Sequence, residues 1–102
     1  MTKYAVVIAD KVDRQLLRHV EFLSRVSVPA ARRFRNDFGV ILNRLEENPL
    51  QFPQDTDPNL PSELYRKALF SKWYKALFMI EGQTVYLDAI IDCRQSIDAL
   101  DL

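Results

Sequence analysis

Residues 64–94 hold three short apolar, aromatic-rich segments, separated by breaks too short for anything but hairpins. They run over 64–70, 73–80 and 84–94. β-branched and aromatic side chains suit a pleated, half-buried surface, so this stretch predicts an antiparallel meander of three strands. The break Glu81-Gly82-Gln83 contains one of the two glycines in the chain and can supply a positive φ, whereas Phe70-Ser71-Lys72 offers no such residue. Strict alternation on the third strand places Val85, Leu87, Ala89, Ile91 and Cys93 on one face, read as core. It places Tyr86, Asp88, Ile90, Asp92 and Arg94 on the other.

Ahead of the meander the periodicity changes. Residues 4–9 form a short apolar run with a β-branched centre, too short for a helix, and predict a first strand. Asp10 fits as the N-cap of a helix over 11–25, whose stripe is Val12, Leu16, Val20 and Leu23 and whose far side carries Lys11, Arg14, Arg18 and Arg25. Glu21 lies within a turn of Arg18 and Arg25, so this basic side is read as a solvated face. Ser27-Val28-Pro29 opens a second helix over 29–47, with Ala30, Phe34, Phe38, Ile41, Leu42 and Leu45 on one side. Gly39 interrupts that helix and is read as permitting close packing. Asn48-Pro49 ends it, and a polar, proline-punctuated loop leads to the meander. The acidic tail 95–102 is read as a short helical turn or a frayed end. The fold class is therefore α+β, a single domain over 1–102 in the order β-α-α-β-β-β. Two helices cover one face of a largely antiparallel sheet and leave the other face open.

Fourteen basic residues balance fourteen acidic ones. Attraction to a phosphate backbone must then come from a local patch, which counts against a general nucleic-acid binder. One cysteine excludes an internal disulfide, and no apolar stretch is long enough for a membrane span or secretory signal, so the expected compartment is the cytoplasm. His19 has no Cys or carboxylate cluster beside it in sequence, so no metal site is expected.

In order and spacing these segments resemble the RelE/ParE superfamily of type II toxin–antitoxin toxins. The resemblance rests on the opening strand, the paired amphipathic helices and Leu45-Glu46-Glu47-Asn48-Pro49 closing the second of them. It rests also on the run from Tyr74 to Gly82, like the family's Tyr-Arg-x-x-Tyr/Phe strand, and on Ile91-Asp92-Cys93-Arg94, like its final strand. It implies a bacterial or archaeal growth inhibitor of the plasmid-stabilisation kind, held inactive by a cognate antitoxin. It implies either a ribosome-dependent mRNA endonuclease or a DNA gyrase poison, with a degenerate, non-toxic relative as a further alternative. No small-molecule cofactor and no membrane partner are implied.

Cleavage of RNA through its 2′-hydroxyl needs a base, a cation for the charged phosphorane and an acid for the leaving oxygen. Carried over by position, the nuclease pattern falls on Arg66, Lys75 and Arg94, with Ala68 in place of a second basic residue and Leu100 in place of a tyrosine. Two proton carriers are missing, and an arginine stays protonated and makes a poor base. The gyrase-binding alternative is therefore favoured, with Lys67, Lys72, Trp73, Tyr74 and Arg94 as target-contacting candidates. Leu17 and Phe38 are the candidates for holding the antitoxin. Each has a plainer role open to it: Arg94 an ion pair with Asp92, Lys75 a packed stem with a snorkelling amine, Trp73 and Tyr74 packing on the sheet. Cys93 is read as buried and inert.

Overall fold

The computed structural model describes residues 3–94, so the tail expected to form a turn or a frayed end lies outside the described residues. Strand β1 (Ala5–Ile8) leads into helices α1 (Asp10–Val26) and α2 (Val28–Glu47) and a 3-10 turn (Pro49–Gln51). A loop then reaches the meander of β2 (Arg66–Phe70), β3 (Tyr74–Glu81) and β4 (Thr84–Asp92). The strands lie in the order β1-β4-β3-β2. β1 pairs parallel to β4 and the rest is antiparallel, so the sheet is mixed.

Local chemistry explains the helix ends. Ser27 closes α1 with its N–H on the Leu23 carbonyl and opens α2 with its hydroxyl accepting from the Ala30 N–H. One residue thus satisfies orphan groups of two helices. Asp10, expected as the cap of α1, lies inside its first turn instead; Ala9 holds the cap position and makes no side-chain bond. Both Asp10 and Asp13 still oppose the positive end of the helix dipole. A Cβ built on Gly39 meets nothing within 4 Å, so close packing does not explain that glycine.

The helix-facing core joins Val12, Phe34, Ile41 and Leu45 to Phe70, Tyr74, Phe78, Val85, Leu87 and Ile90 of the meander. Ile90 departs from the alternation expected for β4. The register passes from Leu77↔Ala89 to Phe78↔Leu87, leaving Asp88 as an extra residue without a partner. This bulge reverses every later side chain. Ala89 and Ile91 turn to the outer face, where with Leu77, Leu60 and Tyr65 they form a second apolar cluster. Cys93, expected inside, is exposed.

The outer face is also not left open, because the loop before β2 folds across part of it. Leu60 is buried there, and the Tyr65 hydroxyl donates to Asp88 Oδ2 at 2.7 Å. The same loop guards the β2 edge, with the Lys67 N–H on the Pro53 carbonyl at 3.0 Å and a bridge between Gln54 and Arg66.

β1 ends opposite Leu87, so β4 continues beyond its neighbour with backbone groups unpaired on that side. Helix α1 takes over there: Gln15 Oε1 accepts from the Ile90 N–H at 2.9 Å, and His19 Nε2 donates to the Ile90 carbonyl at 3.0 Å. Gln15 is buried, so its loss would strand the Ile90 N–H away from water. Gln15→Leu should therefore destabilise the fold by about 1 to 3 kcal/mol in a denaturant titration.

Candidate functional site

Leu17, nine residues before the end of α1, and Phe38, ten residues after the start of α2, converge in a groove between the two helices. The groove has a volume of about 470 Å³ and is lined by Leu16, Leu17, Val20, Phe34 and Phe38, with Asp13 and Arg35 as its charged members. Leu17 is largely exposed, whereas Phe38 is half-buried against the core.

The meander candidates divide by facing. Arg66 is half-buried and donates from Nη1 to the Phe52 carbonyl at 2.6 Å. Lys67 is half-buried on the outer face and contributes attraction to Asp55. Tyr74 is 2% exposed and stacks edge-on against Phe34, with ring centroids 4.7 Å apart, and against His19 at 5.0 Å. Its hydroxyl is buried with no hydrogen-bond partner among the described residues, and burial raises its pKa. Tyr74 therefore has no surface to present to a target.

Lys75 does not snorkel. It is 8% exposed, and Nζ donates to Asp55 Oδ2 at 2.5 Å under the loop. The other Asp55 oxygen accepts from the Asp57 N–H at 3.0 Å. Burial pushes the Asp55 carboxyl up, but the Lys75 bond, the Asp57 N–H and the nearby charges outweigh it and hold it below the usual carboxylate range.

Arg94 and Trp73 meet at the open end of the meander. Arg94 chelates the buried Asp92, Nε to Oδ1 at 2.9 Å and Nη2 to Oδ2 at 2.7 Å, which holds the Asp92 carboxyl below its ordinary range despite burial. The Arg94 guanidinium carbon lies 5.3 Å from the centre of the Trp73 ring, and Lys72 Nζ lies 5.0 Å from it. Trp73, expected to pack on the sheet, is 43% exposed. Lys72, Trp73 and Arg94 thus form one cluster, while Arg66, Lys67, Tyr74 and Lys75 point elsewhere.

Asp55, which holds Lys75, was not among the residues singled out from the sequence. A signal was present in Asp55-x-Asp57-x-Asn59: each aspartate accepts the N–H two residues on, Asp57 from Asn59 at 2.9 Å, as successive Asx turns do. Among the described residues no group of three His, Cys, Asp or Glu could hold a metal ion, and no helix is long and apolar enough to cross a membrane.

The arrangement defines a class: a small α+β domain with a helical hairpin on one face of a mixed four-stranded sheet and a loop on the other. That fold is shared with a chain of the solved structure described as the chromosomal ParDE TA system from P. aeruginosa, at a TM-score of 0.70 over 87% of this chain and 95% of that one. At 15% identity the likeness establishes the fold. No protein-family model matches the chain, and no curated protein matches it.

Asp55 and Asp92 both have lowered pKa values in the fold, so the stability they contribute is complete above the unfolded value near ~4 and is lost as pH falls below it. Lys75→Met would leave the buried Asp55 carboxylate without its counterion. In urea unfolding at pH 7 it should cost about 3 kcal/mol or more, and the deficit should shrink in acid, where wild type loses the same contribution.

Proposed function

We propose that this chain is the toxin of a type II toxin–antitoxin pair, working in the cytoplasm, and that it acts by binding DNA gyrase rather than by cutting mRNA. The fold shared with a chain of a ParDE toxin–antitoxin system supports the first part. The observation that carries the second is the commitment of the cations that phosphorane chemistry would need. Lys75 is sealed against Asp55, Arg94 is chelated by Asp92 and Arg66 is bonded to a carbonyl. A nuclease acting within the ribosome gains from several uncompensated cations facing one phosphate, and from a group that can accept a proton there. The position that would carry such a group, Leu100, is a leucine and lies outside the described residues.

The antitoxin is assigned to the groove between α1 and α2. An amphipathic segment of the partner would bury Leu17 and close over Phe38, taking an exposed apolar strip out of water.

Two experiments test these assignments. Expression of the chain without its antitoxin should stop growth and accumulate gyrase-linked DNA breaks, with no codon-phased cuts in mRNA. Cuts at ribosomal A-site codons that vanish in Arg94→Ala would instead make Arg94 a transition-state cation and reverse the choice. Separately, Leu17→Asp should leave the fold intact and weaken the antitoxin complex about tenfold or more in a calorimetric titration, because a carboxylate would be buried at the contact. Wild-type affinity in that folded variant would move the antitoxin to another face.

A further inference from the structure

The turn between β2 and β3 is built against the usual chemistry of hairpins. Phe70 pairs with Tyr74, so Ser71, Lys72 and Trp73 form the loop. Ser71 has φ 47° and Lys72 has φ 71°, two successive left-handed residues of which neither is glycine or asparagine. By contrast the β3–β4 turn uses Gly82 for its positive φ. Glycine at 71 or 72 would relieve the strain but would remove the side chains. Lys72 is what the strained backbone holds beside the Trp73 ring.

The surroundings give that placement a use. Two cationic side chains lie close to the Trp73 ring, and the Arg94 side chain keeps 45% of its surface exposed even while chelated by Asp92. An exposed tryptophan beside an arginine locked by a buried carboxylate has the composition of a protein–protein hot spot. A track for a nucleic-acid backbone would need cations in a row. Here the next lysine along the strand, Lys75, is buried on Asp55, and Asp92 stands directly behind Arg94.

We propose that Lys72, Trp73 and Arg94 form a contact surface for an acidic protein segment, with Lys72 and the exposed side of Arg94 engaging a carboxylate while Trp73 covers its apolar neighbour. This deepens the binding-toxin assignment and rests on it, in that the segment would belong to the toxin's protein target. The Asp92 chelate fixes the Arg94 fork, so that side chain does not have to be ordered at the moment of binding, and the turn sets the direction in which Lys72 leaves the backbone.

Trp73 is the one tryptophan in the chain, so its fluorescence reads this surface directly. The full chain is titrated with a short peptide of alternating Glu and Gly, with the matching Gln and Gly peptide, and with single-stranded RNA. A saturable change with the Glu peptide alone is expected, weakened about tenfold in Lys72→Asn, which tolerates the left-handed backbone, and kept in Lys72→Arg. In cells Lys72→Asn should lower gyrase-linked breaks by a similar factor while antitoxin affinity stays at the wild-type value. No response to the Glu peptide, a response to RNA instead, or equal binding by Lys72→Asn and wild type would overturn the proposal. Since the titration needs no toxic activity, its failure would remove the surface and leave the outcome of the gyrase assay standing on its own.

Discussion

The fold depends on how the unpaired side of β4 is satisfied. β4 is the central strand nearest the helices, yet its partner β1 stops at Ile8, opposite Leu87. A buried strand whose N–H and C=O groups lack partners is costly, and water is excluded from this side by α1. Gln15 and His19, one helical turn apart, bond both backbone groups of Ile90 and so stand in for the missing strand. A carbonyl can only accept, so the bond places a proton on His19 Nε2. The same ring packs edge-on against Phe34 and Tyr74, and one side chain therefore ties α1, α2, β3 and β4 together.

The bulge at Asp88 follows from the same requirement. Without it, strict alternation would carry Ala89 and Ile91 toward the helices and turn Ile90 and Asp92 away. With it, Ile90 enters the main core, and Asp92 turns to that side together with Arg94, the residue it binds and with which it shares a face in either register. The cost is an apolar group of Leu77, Ala89 and Ile91 on the outer face, which Leu60 and Tyr65 from the loop cover. Tyr65 also bonds the bulged residue itself, and burial together with that bond raises its pKa to about 12. The loop is thus a structural layer, anchored at one end by Asp55 on Lys75 and at the other by Tyr65 on Asp88.

Element type and order were legible because periodicity is a property of many residues at once. Two helices of opposite-facing stripes and three alternating segments leave few arrangements for so short a chain. What could not be read depended on single residues. One inserted position at Asp88 inverts the facing of everything after it, and period-2 counting has no means of locating it. The burial of Lys75 required knowing that a distant aspartate, twenty residues earlier in the chain, would be carried onto its strand. Leu17 and Phe38 share a groove because both were placed on helix faces by the same 3.6-residue repeat, whereas Lys67, Tyr74 and Lys75 scattered because adjacent strand positions face opposite ways.

The two unusual features of the meander, a strained turn and a set of committed cations, bear on each other. Successive left-handed residues without glycine cost about 1 to 2 kcal/mol apiece, and such strain persists only where the surroundings over-determine it. Here the flanking residues Phe70 and Tyr74 are both buried and both packed on Phe34, so the ends of the turn cannot relax without opening the core. The hairpin can therefore hold the backbone of Lys72 and Trp73 in one geometry at its tip. Elsewhere on the meander the positive charge is directed inward, with Lys75 on Asp55 and Arg66 on a carbonyl, which leaves Lys72 and the outer side of Arg94 as its accessible cations beside an aromatic ring. In a chain whose charges sum to zero, concentrating two cations at one rigid point creates a directional contact without the long-range field that would draw in nucleic acid indiscriminately.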